Sequence, residues 1–288
     1  MKRPAVLGLL LLSASAPLWP ADAEERGDRA FRHRAAGFLE RGTPMSEPTE
    51  TAIAAYGEAL ARDPDNLRLH GKLTDALCFQ GRYLAADQRL RRGIYERLLE
   101  LAQRAVDLAA ERTGRAGTLA KLAPEEQAEL LRAVPGAAEA HFWAAAAWGF
   151  WGTTHGPLAA ARNGVLSKVR HHARITILLD ERYNDAGGLR ILGRLHTRAP
   201  WVPFLSGWID RREGIALLRR AVAISRRDPE NLLFLAEALL AHDKARRGEA
   251  LELLRELGRR RPNPDELVED SVVLEQARKL LAELAARG

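Results

Sequence analysis

The chain has 288 residues, of which 47% are hydrophobic, so it can bury a sizeable core. Its single cysteine, Cys78, excludes an internal disulfide, and packing must therefore hold the fold together. The formal net charge is +6, but the arginine pairs are spread along many segments with acidic residues between them. That pattern indicates solvated helix faces and disfavours a nucleic-acid-binding surface.

The N-terminus has the three parts of a cleavable secretory signal. Met1-Lys2-Arg3 supplies positive charge, residues 5–12 are apolar, and Ala21-Asp22-Ala23 has the small-residue pattern of a cleavage site. The apolar run is too short to span a bilayer, and no cysteine near the boundary offers a lipid anchor. We therefore expect residues 1–23 to be a signal peptide that is cleaved after Ala23, leaving an exported protein without a lipid anchor.

After the signal, almost every segment has the periodicity of an amphipathic helix, and strand-like alternation is absent. Turn signals predict about ten to eleven helices, of which the segment 83–113 is the longest. Residues 24–48 are predicted to form an N-terminal helix and linker. Residues 49–288 are predicted to form an array of helical hairpins.

A repeated phrase punctuates this array. Residues 62–67 read Arg-Asp-Pro-Asp-Asn-Leu and residues 227–232 read Arg-Asp-Pro-Glu-Asn-Leu, each between two amphipathic segments. The spacing of the second helix of a tetratricopeptide repeat occurs twice, at Ala52, Tyr56, Ala59 and Pro64 and at Ala250, Leu254, Leu257 and Pro262. Gly81-Arg82 is predicted to be a turn within a hairpin. The sequence therefore predicts an all-α fold, a tetratricopeptide-like α-α superhelix of stacked helical hairpins, with a degenerate period over residues 125–200.

Residues 141–152 are the least generic part of the chain, because aromatic residues and alanines surround the whole helix. Such a helix is buried on all sides or lines a cavity. One interpretation is a thick core where helices cross; the other is an aromatic-lined pocket for an apolar or amphipathic ligand. Both remain open at this point. The candidate ligand-binding residues are Phe142, Trp143, Trp148, Phe150, Trp151, Trp201 and Trp208.

Patterns of catalytic and metal-binding residues are nearly absent. His171 and His172 are adjacent and should point to different helix faces, and no His-Glu-x-x-His motif occurs. The glycines at 188 and 193 lack the lysine and hydroxyl residue of a phosphate loop, and no nucleophile elbow is present. We therefore predict a protein that is not an enzyme and has no catalytic residue, metal or cofactor. The enzyme alternative is a site around His171, His172 and Asp180.

Three stretches together resemble a known family. They are residues 139–149, residues 179–193 and Ala199-Pro200. They resemble the TatT-like family, the T component associated with tripartite ATP-independent periplasmic (TRAP) transporters. The resemblance implies a helical, tetratricopeptide-like periplasmic protein that can oligomerise around a pore or cleft. It also implies binding to a periplasmic solute-binding protein and handling of hydrophobic ligands, with the wall of the cavity formed by Phe142, Trp143, Trp148 and Trp151.

The chain departs from this pattern in lacking the lipid-anchor cysteine that some members have, so a freely soluble periplasmic protein is expected. The leading functional hypothesis is a TRAP accessory that binds a solute-binding protein and an apolar ligand. A homo-oligomer is compatible with this hypothesis. The alternative is a general envelope scaffold for protein–protein interaction. The sequence leaves open the ligand, the oligomeric state, the identity of the partner and the choice between core and cavity wall.

Overall fold

The computed structural model describes residues 20–200 and 207–286, and its regular structure in these ranges is entirely helical. The α-helices of these ranges are α1 (Pro20–Arg32), α2 (Phe38–Arg41), α3 (Ser46–Arg62), α4 (Leu67–Phe79), α5 (Gln88–Arg112), α6 (Ala116–Leu119), α7 (Pro124–Leu131), α8 (Ala137–His155), α9 (Pro157–Arg162), α10 (Val165–Leu179), α11 (Tyr183–Arg198), α12 (Arg211–Ile224), α13 (Pro229–His242), α14 (Arg247–Arg259) and α15 (Leu267–Ala286). Shorter helical segments are the π-helix Gln80–Leu84 and the 3₁₀-helices Lys244–Arg246 and Pro264–Glu266.

Successive long helices pack on one another, which is the arrangement of a hairpin array. The order of packing is α1 on α3, α3 on α4, α4 on α5, α5 on α8, α8 on α10, and then α10 through α15 in sequence. Alternate helices also touch, as α11 does with α13 and α13 with α15. The prediction of an all-α, tetratricopeptide-like superhelix is confirmed.

The spaced residues of the repeat pattern occupy the core. Ala52, Tyr56 and Ala59 of α3 are each at most 2% exposed. Their counterparts in α14, which are Ala250, Leu254 and Leu257, are fully buried. In both cases the proline lies just beyond the last helical residue, where its fixed φ and missing N–H end a helix. Small residues at these positions let neighbouring helices approach, and the larger ones fill the space between them.

The two copies of the repeated phrase open their helices in different ways. In the first copy the side chain of Asn66 accepts a hydrogen bond from the backbone N–H of Leu69 at 3.2 Å, so α4 begins after the asparagine. In the second copy Asp228 is the N-cap, and Pro229 is the first residue of α13. Asn231 therefore lies inside the first turn of α13, where it is fully buried. The same phrase thus supplies a cap at one site and a core residue at the other.

Two details of the predicted chain path are wrong. The described residues form fifteen α-helices, more than ten or eleven, because the short helices α2, α6 and α9 form between the longer ones. Gly81-Arg82 is not a turn: α4 continues directly into the π-helix Gln80–Leu84, which holds Gly81 against the ring of Tyr95. The prediction of one long helix over 83–113 corresponds to α5, which has 25 residues.

The described chain begins inside the predicted signal region. Ala23 is 1% exposed within α1 and belongs to a small cluster with Ala59 and Leu69. The charged start and the apolar run of the signal lie outside the described residues, and cleavage after Ala23 remains a prediction. Within residues 20–200 and 207–286, no helix has both the length and the apolar character needed to cross a bilayer.

Candidate functional site

The predicted aromatic residues divide into groups with different surroundings. Phe142 and Trp143 are 5% and 8% exposed and belong to the core that α8 forms with α3, α4 and α5. The ring of Tyr183 packs edge-on against Phe142 with centroids 5.3 Å apart. Phe150 is only half-buried, but its ring stacks on Tyr95 at 4.8 Å. These three side chains of α8 therefore pack against the other helices of the N-terminal half.

Trp148 and Trp151 form a second group on another side of α8. Both are half-buried, and their rings meet edge-on with centroids 5.8 Å apart. Trp151 also stacks on His155 at 3.9 Å, and the ammonium of Lys168 lies 3.7 Å from the ring centroid of Trp148. The indole N–H of Trp148 is buried and has no hydrogen-bond partner within the described residues. This group keeps partial access to solvent and has an unused donor.

Trp208 lies in a third environment. Its ring is 5.4 Å from that of His196 on α11, and the guanidinium of Arg170 on α10 lies 4.5 Å from its centroid. Trp201, the remaining candidate, falls outside the described residues. The sequence thus identified residues that surround α8, α10 and α11, and the structure distributes them among these three environments.

Histidines from α8 and α10 form a buried pair. His141 and His172 are 2% and 7% exposed, and their Nδ1 atoms lie 3.0 Å apart. Burial lowers the pKa of His141 to about 3 and holds the pKa of His172 well below its usual value. Both rings are therefore neutral at pH 7, with one Nδ1–H donating to the other Nδ1. Across the ranges 20–200 and 207–286, no three His, Cys, Asp or Glu side chains are grouped as a metal site.

A network of charged residues, which the sequence analysis missed, joins the two halves of the superhelix. Arg190 of α11 is 9% exposed at its side chain and donates to the carboxylate of Asp228. Its Nε lies 3.3 Å from Glu230, which also accepts a 2.6 Å hydrogen bond from Arg82 of the π-helix. Burial raises the pKa of Glu230, but the two guanidinium groups outweigh burial and hold it below its usual value. The N-terminal half, α11 and α13 therefore meet in one chain of ion pairs.

A left-handed turn at the start of α11 is attached to this network. Asn184, Asp185 and Ala186 have φ values of 49°, 54° and 65°, in a region that side chains other than glycine disfavour. Asn231 donates to the carbonyl of Asp185 at 2.9 Å. The Asp185 carboxylate accepts hydrogen bonds from Ser225 and Arg227, the latter at 2.8 Å from Nε. Such strain persists only where the surroundings hold it, and it is common at functional sites.

A second link closes the superhelix near its ends. Arg34, which follows α1, forms an ion pair with Glu269 of α15 at 2.7 Å. The same guanidinium lies 4.9 Å from the ring centroid of Phe31 and 5.7 Å from that of Phe79. Glu230 and Glu269 thus each receive an arginine from the N-terminal half. These two links face a common surface, which we call the interior of the superhelix. It is defined by Arg34, Asp75, Arg82, Glu139, Arg190, Glu230, Glu266 and Glu269.

Three carboxylates of the interior have no cation within ion-pair distance in the described chain: Asp75, Glu139 and Glu266. Asp75 remains accessible to solvent, yet the protein surrounds it closely enough that desolvation raises its pKa to about 7. Arg34 opposes this rise, whereas Glu269 and Glu139 add to it. Burial also raises the pKa of Glu139, against the nearby Tyr183 hydroxyl and Trp143 indole. Burial and neighbouring carboxylates raise that of Glu266.

The interior is therefore short of positive charge although the whole chain is basic. Acidic side chains there raise one another's pKa values, so binding of a proton or a cation beside them is favourable. An arrangement of this kind can attract a cationic group and can exchange protons near neutral pH. The sequence does not reveal this group of carboxylates, because Asp75, Glu139 and Glu266 are far apart in the chain and lie on ordinary helix faces.

Two glycines of the stretches that carried the family resemblance lie at close contacts between helices. A Cβ at Gly187 would lie 2.5 Å from the ring of Phe142, and one at Gly193 would lie 2.7 Å from Leu218. These glycines let α11 approach α8 and α12 closely. The contacts explain why aromatic residues and glycines occur together in this part of the sequence.

Comparisons with known proteins name no family. No family model matches the chain, and no curated protein matches it. Among solved structures, the crystal structure of yeast Tom70 is similar with 14% sequence identity, and the match covers 98% of this chain and 70% of that chain, at a TM-score of 0.28.

Proposed function

We propose that this protein is a non-enzymatic binding scaffold of the cell envelope, an accessory of a TRAP-type transport system that binds a periplasmic solute-binding protein. The observation that carries the binding role is the interior, where Asp75, Glu139 and Glu266 lack a cation within the described chain. A stacked array of hairpins offers a continuous concave surface to a partner. The transporter assignment is supported by the resemblance of residues 139–149, 179–193 and 199–200.

In this proposal the interior carboxylates receive lysine or arginine side chains of the partner. Charge complementarity of this kind sets specificity and association rate more than total affinity. The protein is exported, and its signal is cleaved after Ala23. It acts by holding the partner and not by changing a covalent bond.

A second component of the proposal is an apolar ligand beside Trp148 and Trp151. The specific observation that favours it is the half-buried pair itself, with the unpaired indole N–H of Trp148. Trp148→Ala should abolish binding of such a ligand while leaving the fold intact. If the variant loses only stability, by about 3–5 kcal/mol as large core truncations do, Trp148 is a packing residue.

The experiment is a pull-down from native periplasmic extract with the mature chain as bait, analysed by mass spectrometry in native and denaturing modes. Recovery of a TRAP solute-binding protein, lost in the Asp75→Lys variant, supports the proposal. A small apolar molecule that is present with the wild type and absent with Trp148→Ala supports its second component. Recovery of assorted envelope proteins without a small molecule would replace the transport accessory with a general protein-binding scaffold.

A further inference from the structure

A groove lies between the end of α4 and the start of α5, beside the π-helix Gln80–Leu84. Its volume is about 490 Å³, within the usual range of ligand pockets. The floor is apolar and contains Leu77, Leu90 and Ile94, and the polar lining consists of Gln80, Asp87, Arg89 and Arg97. The Asp87 carboxylate is engaged as the N-cap of α5, where it accepts a hydrogen bond from the backbone N–H of Leu90 at 2.8 Å. Leu77 and Ile94 are also part of the core, but Leu90 is 49% exposed, so its apolar surface faces solvent. The groove shares none of its lining residues with the ion-pair network of the interior.

Arg89 and Arg97 line this groove. Within the described residues, neither Arg89 nor Arg97 forms an ion pair or a hydrogen bond. The arginines between them differ: Arg91 donates to the carbonyl of Gly81 at 3.1 Å, and Arg92 donates to that of Thr154 at 3.0 Å. The two free guanidinium groups are eight residues apart, which is about 12 Å along a helix axis.

Gly93 also lines the groove. It lies in the second turn of α5, inside the helix, where a glycine is destabilising by about 1 kcal/mol relative to alanine. A Cβ built at this position meets no atom within 4 Å, so no contact of the fold requires a glycine there. Any side chain at residue 93 would instead project into the groove. The lack of a side chain at Gly93 thus leaves a space that no side chain of the described fold fills.

We propose that this groove binds an acidic amphipathic helix of a partner protein. The apolar face of that helix rests on Leu90 and in the space above Gly93, and carboxylates two turns apart pair with Arg89 and Arg97. Helix-in-groove binding needs such a combination of an apolar floor and charges at its rim. A concave groove receives side chains of a helix, whereas a flat anionic lipid surface would contact only its rim. The proposal concerns a surface distinct from the interior and stands independently of the partner proposed there.

The probe is a fluorescently labelled, designed peptide with leucines on one helical face and glutamates on the other. A matched peptide carries lysine in place of each glutamate. Fluorescence anisotropy measures the binding of both to the full mature chain at low salt and at 0.5 M salt. The variants are Arg89→Glu/Arg97→Glu and Gly93→Trp. The control is Gly57→Trp in α3, because a Cβ at Gly57 also meets no atom within 4 Å. Circular dichroism verifies that each variant is folded.

We expect saturable binding of the acidic peptide that weakens with salt, together with binding of the lysine peptide that is at least tenfold weaker. The double arginine variant should weaken binding of the acidic peptide about tenfold, since two favourable pairs become repulsive. Gly93→Trp should abolish binding by filling the groove, and Gly57→Trp should leave it unchanged.

Three results would overturn the proposal. One is no saturable binding of the acidic peptide up to about 1 mM. Another is equal binding by wild type and Gly93→Trp, which would place the peptide elsewhere. The third is binding of phosphatidylglycerol vesicles, but not of peptide, that disappears in the double arginine variant. That result would assign the two arginines to a lipid surface.

Discussion

Replacement of the asparagine in each copy of the repeated phrase should have unequal effects. By sequence, Asn66 and Asn231 are equivalent residues of one motif. In the structure Asn66 caps α4 at the surface, whereas Asn231 is fully buried and holds the left-handed turn. We therefore expect Asn231→Ala to destabilise the protein by about 3–5 kcal/mol and Asn66→Ala by about 1 kcal/mol.

The magnitude follows from the bonds that each asparagine makes. The side-chain amide of Asn231 donates to the carbonyls of Ser225 at 2.8 Å and Asp185 at 2.9 Å, and its oxygen accepts from Arg190 at 3.2 Å. Each buried polar group that loses its partner costs about 1–3 kcal/mol. The strained turn that ends at Ala186 also loses a restraint. By contrast, Asn66 loses one capping bond to a backbone N–H, which is worth about 1 kcal/mol, and an exposed hydrogen bond to the Asp63 carboxylate at 2.8 Å, whose groups water can satisfy.

Urea unfolding of both variants, followed by circular dichroism, measures the two changes in the free energy of unfolding. The slope of the unfolding free energy against urea should stay that of the wild type, so that the shift in midpoint reports stability alone. Equal destabilisation by the two substitutions would refute the reasoning, because it would give both copies the same structural role. A larger effect at Asn66 would do so as well.

Three further predictions concern helix contacts and titratable groups with shifted pKa values. Gly187→Ala should destabilise the fold by about 1–3 kcal/mol, since its Cβ would overlap the ring of Phe142. Gly149→Ala in α8 should stabilise the fold by up to about 1 kcal/mol, since a Cβ there meets no atom within 4 Å. Thermal unfolding distinguishes the two. His141 and His172 have lowered pKa values in the folded chain, so the unfolded chain binds more protons than the folded chain below pH 6.5. The free energy of unfolding should therefore fall between pH 6.5 and pH 3, and this fall should be smaller in His141→Phe than in the wild type. Asp75, with its pKa raised to about 7, contributes the opposite slope, because its stabilisation is complete below pH 3.8 and is lost as pH rises through 7. The stability of Asp75→Asn relative to the wild type should therefore be higher at pH 8 than at pH 4. A slope with either sign reversed would contradict these assignments.

The fold was predictable because it depends on local patterns. The spacing of Ala52, Tyr56 and Ala59 and its counterpart in α14 specify which faces of two helices are buried, and the following prolines specify where those helices end. Such signals need only a few residues on either side. The same reasoning missed the π-helix Gln80–Leu84, since Gly81 indicates a turn by composition although in the fold it leaves room for the ring of Tyr95. That contact joins residues from different helices and is invisible in a local window.

The candidate site was less predictable than the fold. The aromatic residues near α8 were identified by their density, but sequence alone could not separate Phe142 in the core from the half-buried Trp148. The interior network joins Arg82 to Glu230 across 148 positions, so no motif contains both residues. Asp75 offers no signal at all by sequence, because its pKa is raised by desolvation in the folded chain and, to a smaller extent, by carboxylates that are distant in sequence. The interior can be recognised as a candidate site only after the packing of the helices is known and the charges have been placed on it.

In the proposed function, the interior binds a solute-binding protein of a TRAP transporter through carboxylates that lack a cation within the described chain. The most direct measurement is calorimetric titration of the mature chain with that purified protein from the same organism, for wild type, Asp75→Lys and the control Glu100→Gln. Glu100 is an exposed residue of α5. The account predicts a stoichiometric complex that Asp75→Lys weakens at least tenfold and Glu100→Gln leaves unchanged. No complex up to about 1 mM, or equal weakening by both variants, would contradict it.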